Sequence, residues 1–338
     1  LELIECPFEE LGPDDVRVKV AAVGLNFRDV MAVTGLLPKE AEGEPAWTNL
    51  GLEFGGVIVE RGSNVSEFEI GDRVMGMGKR CLQRFLNTSK LALAHIPEHI
   101  SFDEASTIPS AFATAHYCLN RVGRMAKGEK VFIHVATGGV GSAAVQMAKN
   151  VGAEIIATAG NDDKRQLLLD WGVDHVMNSR DLSWADETMK ITGGKGVDVL
   201  LNSLPSAYIE KGLEVMAPYG RYLEIGKRDV YADSSIGMKA LRKNISMSGL
   251  ELAAMGVERP DMLGGMFREL TEAFVRRELE PLPLVSYPVS KVADAIRFMS
   301  QAKHVGTVVV TFDEDEYVVK SDASREVVMD PDASYPVS

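Results

Sequence analysis

Residues 136–141 read Ala-Thr-Gly-Gly-Val-Gly and directly follow the almost wholly apolar run VFIHVA at 131–136. A strand, a glycine turn and a helix in that order make a phosphate cradle. The glycines let the backbone approach a pyrophosphate, and the helix N-terminus offers unpaired N–H groups to its oxygens. Gly138, Gly139, Val140 and Gly141 are therefore candidate dinucleotide contacts, although the run falls short of the full GxGxxG pattern and depends on its context. A second strand over 154–159 ends Thr158-Ala159-Gly160, where a site for NAD would present an acid to the ribose hydroxyls. Lys164, Arg165 or Arg180 can instead neutralise the extra 2′-phosphate of NADPH, provided that Asp162 and Asp163 cap their helix and point elsewhere. Asn202 and Ser203 close the strand predicted over 197–201 and are candidate cofactor contacts. Lys227 follows the strand predicted over 219–225. The carboxyl ends of parallel strands are where open α/β sheets bind ligands, and an ammonium there can stabilise an oxyanion or give up a proton.

Helix and strand alternate from about residue 107 to 249, the rhythm of βα units and a doubly wound parallel sheet. The helix after the glycine turn carries Val140, Ala144, Met147 and Val151 on one face. Before it, 16–23 (VRVKVAAV) alternates as a half-buried strand does, 53–61 and 72–77 resemble it, and glycines at 51, 55, 56, 62, 71, 76 and 78 predict tight turns in a compact β fold. After residue 249 come a helical stripe (Met262, Met266, Leu270, Phe274), a second one (Val292, Ile296, Met299) and a strand over 306–312. That last part is short for a fold of its own. It is expected to complete the N-terminal β domain, leaving the nucleotide-binding unit inserted.

The 338 residues carry a net charge of −13, part of it in the run Asp313–Glu316, and show no basic cluster. This speaks against non-specific nucleic-acid binding. No apolar stretch reaches the length of a membrane span, and the acidic opening LELIECPFEE is not expected to act as a signal peptide. Cys6, Cys81 and Cys118 are far apart, which fits a reducing, cytoplasmic setting. No histidine lies in HExxH or beside a cysteine at ligand spacing, so no metal site is expected. His116 and Tyr117 can transfer protons, but their apolar neighbours in FATAHYCL favour packing.

Six stretches in order resemble one family: GLNFRDVM (24–31), GLEFGGVI (51–58), GDRVMG (71–76), HVATGGVGSAAVQMAK (134–149), KGVDVLLNSL (195–204) and GRYLEIGKRD (220–229). The chain is similar to the enoyl reductase domains of polyketide synthases and animal-type fatty acid synthase, in the medium-chain dehydrogenase/reductase superfamily. The resemblance implies an α/β architecture in which a Rossmann domain (111–249) is inserted in a GroES-like β-rich substrate domain (1–110 and 250–320). Zinc-binding members carry a cysteine near the place of Asn26 and a histidine before the glutamate matching Glu53. Here Leu52 stands before it, so the Lewis acid that holds an alkoxide is not expected.

The resemblance further implies an NADPH-dependent reduction of an enoyl thioester on an acyl carrier protein, with hydride to the β-carbon and a proton to the α-carbon. Lys227 occupies the lysine position of LxxGKxD. Glu251 matches a partner acid of the polyketide-type pattern, whereas the animal pattern puts its acid at the position of Ala253. Asn26 and Arg28 would flank the nicotinamide pocket. Phe27 replaces a tyrosine found in some polyketide reductases and has no proton to give. Residues 329–335 (MDPDASY) resemble the entry to a ketoreductase domain. Residues 321–338 are thus expected to be a linker in a megasynthase whose other domains are partners. A homodimer pairing sheet edges near residues 246–252 is a further expectation. The rival is a free-standing, zinc-independent quinone or enone oxidoreductase with the same cofactor.

Overall fold

The computed structural model describes residues 9–37 and 50–312. Cys6, the acidic run at 313–316 and the expected linker at 321–338 lie outside the described residues. Two sheets carry the fold. The first joins β1 (Asp15–Leu25), β2 (Glu53–Arg61), β3 (Arg73–Met77), β4 (Phe85–Ser89) and β5 (Leu93–His95) to two strands from far along the chain, β12 (Leu284–Pro288) and β13 (Thr307–Thr311). Antiparallel pairing of β13 with β1, Ala22 opposite Thr311, makes the β-rich half discontinuous in sequence, as expected.

The second sheet is wholly parallel, in the order β11 (Ser246–Gly249), β10 (Met216–Glu224), β9 (Val197–Asn202), β6 (Lys130–Ile133), β7 (Glu154–Ala159), β8 (His175–Asn178). The order reverses at β6, and open sheets of this kind bind ligands in the crevice at such a reversal, beyond the carboxyl ends of the strands. Strand β6 stops at Ile133, three residues earlier than predicted, because His134 to Ala136 already turn: Val135 has φ +51°. A β-branched residue in that region is uncommon and marks a tightly determined loop.

Helix α1 (Phe27–Val33) follows β1, α2 (Phe102–Ala105) and α3 (Pro109–His116) lead into the parallel sheet, and α4 (Gly139–Val151) packs over it. Between the sheet strands run α5 (Asp162–Asp170), α6 (Ser183–Ile191), α7 (Ala207–Glu214) and the single turn α8 (Arg228–Tyr231). They are followed by α9 (Leu252–Glu258), α10 (Pro260–Val275) and α11 (Val292–Ser300). The C-terminal part divides its packing. Val292, Ile296 and Met299 of α11 bury with the β-rich core, whereas Met266, Phe267, Leu270 and Phe274 of α10 share a core with Phe112, Ala144 and Met147. Phe112 and Phe274 meet edge to face, 4.9 Å between centroids. The apolar face of α10 thus finds its complement on α3, which leads into the parallel sheet, and on β5 of the β-rich sheet.

Candidate active site

Gly141 is the residue of the 136–141 loop that admits no side chain: a Cβ there would lie 2.5 Å from the Val135 carbonyl oxygen and 2.6 Å from Ala136 Cα. Such close approach of helix to strand end is what the third glycine of a dinucleotide turn provides. Gly138 is the N-cap of α4, so Gly139, Val140 and Gly141 form its first turn, with N–H groups directed out of the helix. Thr158, whose position suggested the choice of cofactor, faces inward. It is fully buried, its hydroxyl accepts the Val135 N–H at 3.2 Å, and it lies 3.2 Å from His134 Nδ1. It braces the loop, and Gly160 is the residue at the open end of β7.

Arg180 lies against Gly160, its Nε 2.9 Å from where a Cβ would stand. Lys164 is near enough that its ammonium is held below its usual range, first by burial and then by the Arg180 charge. Neither side chain makes an ion pair among the described residues, whereas Arg165 is bound to Asp162 of the same helical turn. Asn161 caps α5 by accepting the Lys164 N–H at 2.9 Å, which directs Lys164 across the strand end. Two unneutralised cations at that place suit an anionic group on the ribose. Lys164 also makes contacts that its sequence did not show: Nζ donates to the carbonyls of Ala302 (2.9 Å) and His304 (2.6 Å). Together with the Gly306 N–H bonded to the Thr137 carbonyl at 2.9 Å, this ties the loop before β13 to the nucleotide side. The residues present fit a nicotinamide dinucleotide along this crevice.

Lys227 and Glu251 come together. Nζ lies 2.9 Å from Glu251 Oε2 and also donates to the Leu250 carbonyl. Asn202 is buried, and its amide donates to Glu224 Oε2 and to the Leu204 carbonyl, both at 2.7 Å. Its side chain therefore shapes the strand-end loop, while Ser203 is half-buried in that loop. Glu224 is the acid at this strand end that sequence reasoning did not single out. It accepts from the Gly226 N–H at 2.6 Å and from Tyr222 at 3.2 Å, and so joins the ends of β9 and β10 just ahead of Lys227. Burial pushes its carboxyl up, and these donors oppose the shift. The only sequence signal was an acid at the end of a strand.

Beneath Lys227, α3 continues as a π-helical turn, Tyr117–Val122, closed by the Gly123 N–H on the Cys118 carbonyl at 2.7 Å. Burial pushes the Cys118 thiol up to about 12 despite the nearby Lys227 charge. His116 does not face the crevice chemistry: its Nε2 meets Glu269 of α10 at 2.8 Å, and Arg121 binds the same carboxylate.

Asn26, expected to flank the nicotinamide, bonds within the protein through both ends of its amide. Its Nδ2 donates to Glu53 Oε1 at 2.9 Å, and its Oδ1 accepts from Ser110 Oγ at 3.2 Å. Glu53 also accepts the Ser110 N–H at 2.8 Å. Burial drives the Glu53 carboxyl up to about 8 and that of Asp29, bonded to the N–H groups of Asn26 and Gly51, up to about 6. A folded value above the unfolded one means stability that is complete below about 4.5 and is lost as pH rises through about 8. Glu53→Gln is expected to flatten this loss, on the order of 3 to 5 kcal/mol between pH 5 and pH 9. The amide is accommodated if Asn26 flips, so that its carbonyl accepts from the new NH2 group. Melting curves across that range check it, and a variant as pH-steep as the parent would show that Glu53 does not titrate there.

Among the described residues, no three His, Cys, Asp or Glu side chains group as a metal site, and no helix is long and apolar enough to cross a membrane. Residues 12–116 match the family described as "Alcohol dehydrogenase GroES-like domain" and residues 139–268 that described as "Zinc-binding dehydrogenase". The crystal structure of CurK enoyl reductase is 38% identical, with a TM-score of 0.84 over 91% of this chain and 94% of that one. The chain belongs to the enoyl reductase family. Enoyl reductases of this kind are zinc-lacking medium-chain dehydrogenase/reductases, and the domain is accordingly an oxidoreductase.

"Reducing polyketide synthase FUB1" of Gibberella moniliformis is 36% identical to this enoyl reductase over 342 residues, 99% of the chain. The chain spans only 14% of that synthase's length. Escherichia coli quinone oxidoreductase complexed with NADPH (24% identity, TM-score 0.79, 91% and 94% covered) shares the fold, one that holds a nicotinamide dinucleotide. The rival quinone reading has no more than that shared fold behind it.

Proposed function

We propose that this enoyl reductase uses NADPH to reduce the double bond of an enoyl thioester carried on an acyl carrier protein, within a multidomain synthase. The observation that carries the reading is the Lys227–Glu251 pair at the carboxyl end of β10, in a chain so similar to an enoyl reductase of known structure. The dinucleotide, held by the first turn of α4 and by Lys164 and Arg180, supplies the hydride. The residues of the chain deal with the charge and the proton. An ammonium has three N–H donors. Lys227 gives one to the Leu250 carbonyl and one to Glu251, leaving the third for the thioester oxygen or the α-carbon. Glu224, Asn202 and the Gly226 N–H fix the turn that carries Lys227, so its position is set before substrate arrives. The edge strand β11, with Met247 exposed, is where a second copy would pair.

The test is NADPH oxidation with enoyl-pantetheine and enoyl-carrier substrates beside a quinone panel, with and without a chelator. Turnover of thioesters, faster on the carrier and indifferent to the chelator, is expected. Turnover of quinones alone would overturn the assignment.

A further inference from the structure

We propose that Tyr231 is a positioning residue for proton delivery, holding Glu251 by the same carboxylate oxygen that pairs with Lys227. The proposal rests on the role given to Lys227 above. Tyr231 Oη donates to Glu251 Oε2 at 3.2 Å, and Lys227 Nζ lies 2.9 Å from that oxygen. The backbone makes the meeting a local one. Tyr231 N–H bonds the Lys227 carbonyl at 2.9 Å, so the two residues stand one helical turn apart on one face of α8. Glu251 arrives from the other direction, just after the end of β11.

A carboxylate whose side chain is 42% exposed has several rotamers open to it, and a pair with a flexible lysine does little to select one. A second donor on the same oxygen removes that freedom. With two of its three N–H groups anchored, the Lys227 ammonium no longer turns about its Cε–Nζ bond, and the third points one way. Burial, and next the Glu251 charge, push the Tyr231 phenol up, so it remains a donor to the carboxylate. The Arg28 charge reaches Tyr231 from α1, which places the phenol where the two halves of the protein face each other. Phe27, exposed at the start of α1, brings no hydroxyl from the β-rich side. The nucleotide-binding half supplies one, used to orient rather than to donate.

Steady-state kinetics with NADPH and crotonyl-pantetheine test this on the parent, Tyr231→Phe, Glu251→Ala, the double variant and Lys227→Ala. Tyr231→Phe removes one oxygen from an exposed side chain, so the variant should fold as the parent does. Its kcat is expected to fall about 3- to 20-fold with both KM values within about twofold of the parent. The double variant should be no slower than Glu251→Ala alone, because Tyr231 acts only through the oxygen that this change removes. A parent-like kcat in Tyr231→Phe, a loss confined to KM, or losses that multiply in the double variant overturn the proposal. If Lys227→Ala itself turns over normally, the role of Lys227 fails, and the positioning role falls with it. If Lys227→Ala is slow while Tyr231→Phe is not, only the positioning role fails.

Discussion

Replacing Lys227 with alanine is expected to lower kcat by about 10- to 1,000-fold while NADPH affinity stays within about twofold of the parent. In the proposed role the ammonium would meet charge that develops on the thioester oxygen during hydride transfer, so its worth would be greater in the transition state than in the ground state. Its contacts are with Leu250 and Glu251, not with the glycine turn or the Lys164–Arg180 pair that would hold the dinucleotide. Loss of the lysine leaves Glu251 solvated at 42% exposure, so folding should survive. Residual turnover is expected because water can protonate an enolate. Lys227→Arg should restore charge stabilisation but little proton donation, since a guanidinium does not readily release a proton. Turnover and the NADPH dissociation constant, measured for the three proteins with one enoyl thioester, decide the matter. Normal turnover in the alanine variant would move the proton elsewhere. Failure only through lost NADPH binding would move Lys227 to the cofactor site.

Arg180→Ala is expected to raise the KM for NADPH by about 10- to 100-fold and to leave the KM for NADH almost unchanged, which narrows the preference between the two. A phosphate monoester carries nearly two charges, and Arg180 and Lys164 are the unneutralised cations at the end of β7. Lys164→Ala should share this effect and add another. It also releases the carbonyls of Ala302 and His304, loosening the loop that ties β13 to the nucleotide side, so a lower melting temperature should accompany it. Arg180 is thus the cleaner probe of cofactor choice. A parent protein that turns over equally with NADH and NADPH, or an Arg180→Ala variant whose preference is unchanged, would refute a 2′-phosphate site here.

The amino-acid sequence by itself determined the elements, the glycine cradle and the family. Apolar periodicity in 131–136 and in the faces of α4, α10 and α11 is a local property, and so is the need for glycine where backbone crosses backbone at Gly141. Lys227 was legible because a strand end is a position along the chain, and Glu251 was legible only through the resemblance. What tertiary structure decided were the partners of these side chains. Lys164 bonds a carbonyl 138 positions away, and Asn26, expected beside the cofactor, spends both ends of its amide on Glu53 and Ser110, 27 and 84 positions distant. Thr158 turned inward, Glu224 became the link between two strand ends, and Tyr231 met the Glu251 carboxylate that pairs with Lys227. A residue's type fixes which bonds it can make. The packing of helices such as α3 and α10 against the two sheets fixes which groups lie close to it, and no pattern along the chain encodes that distance.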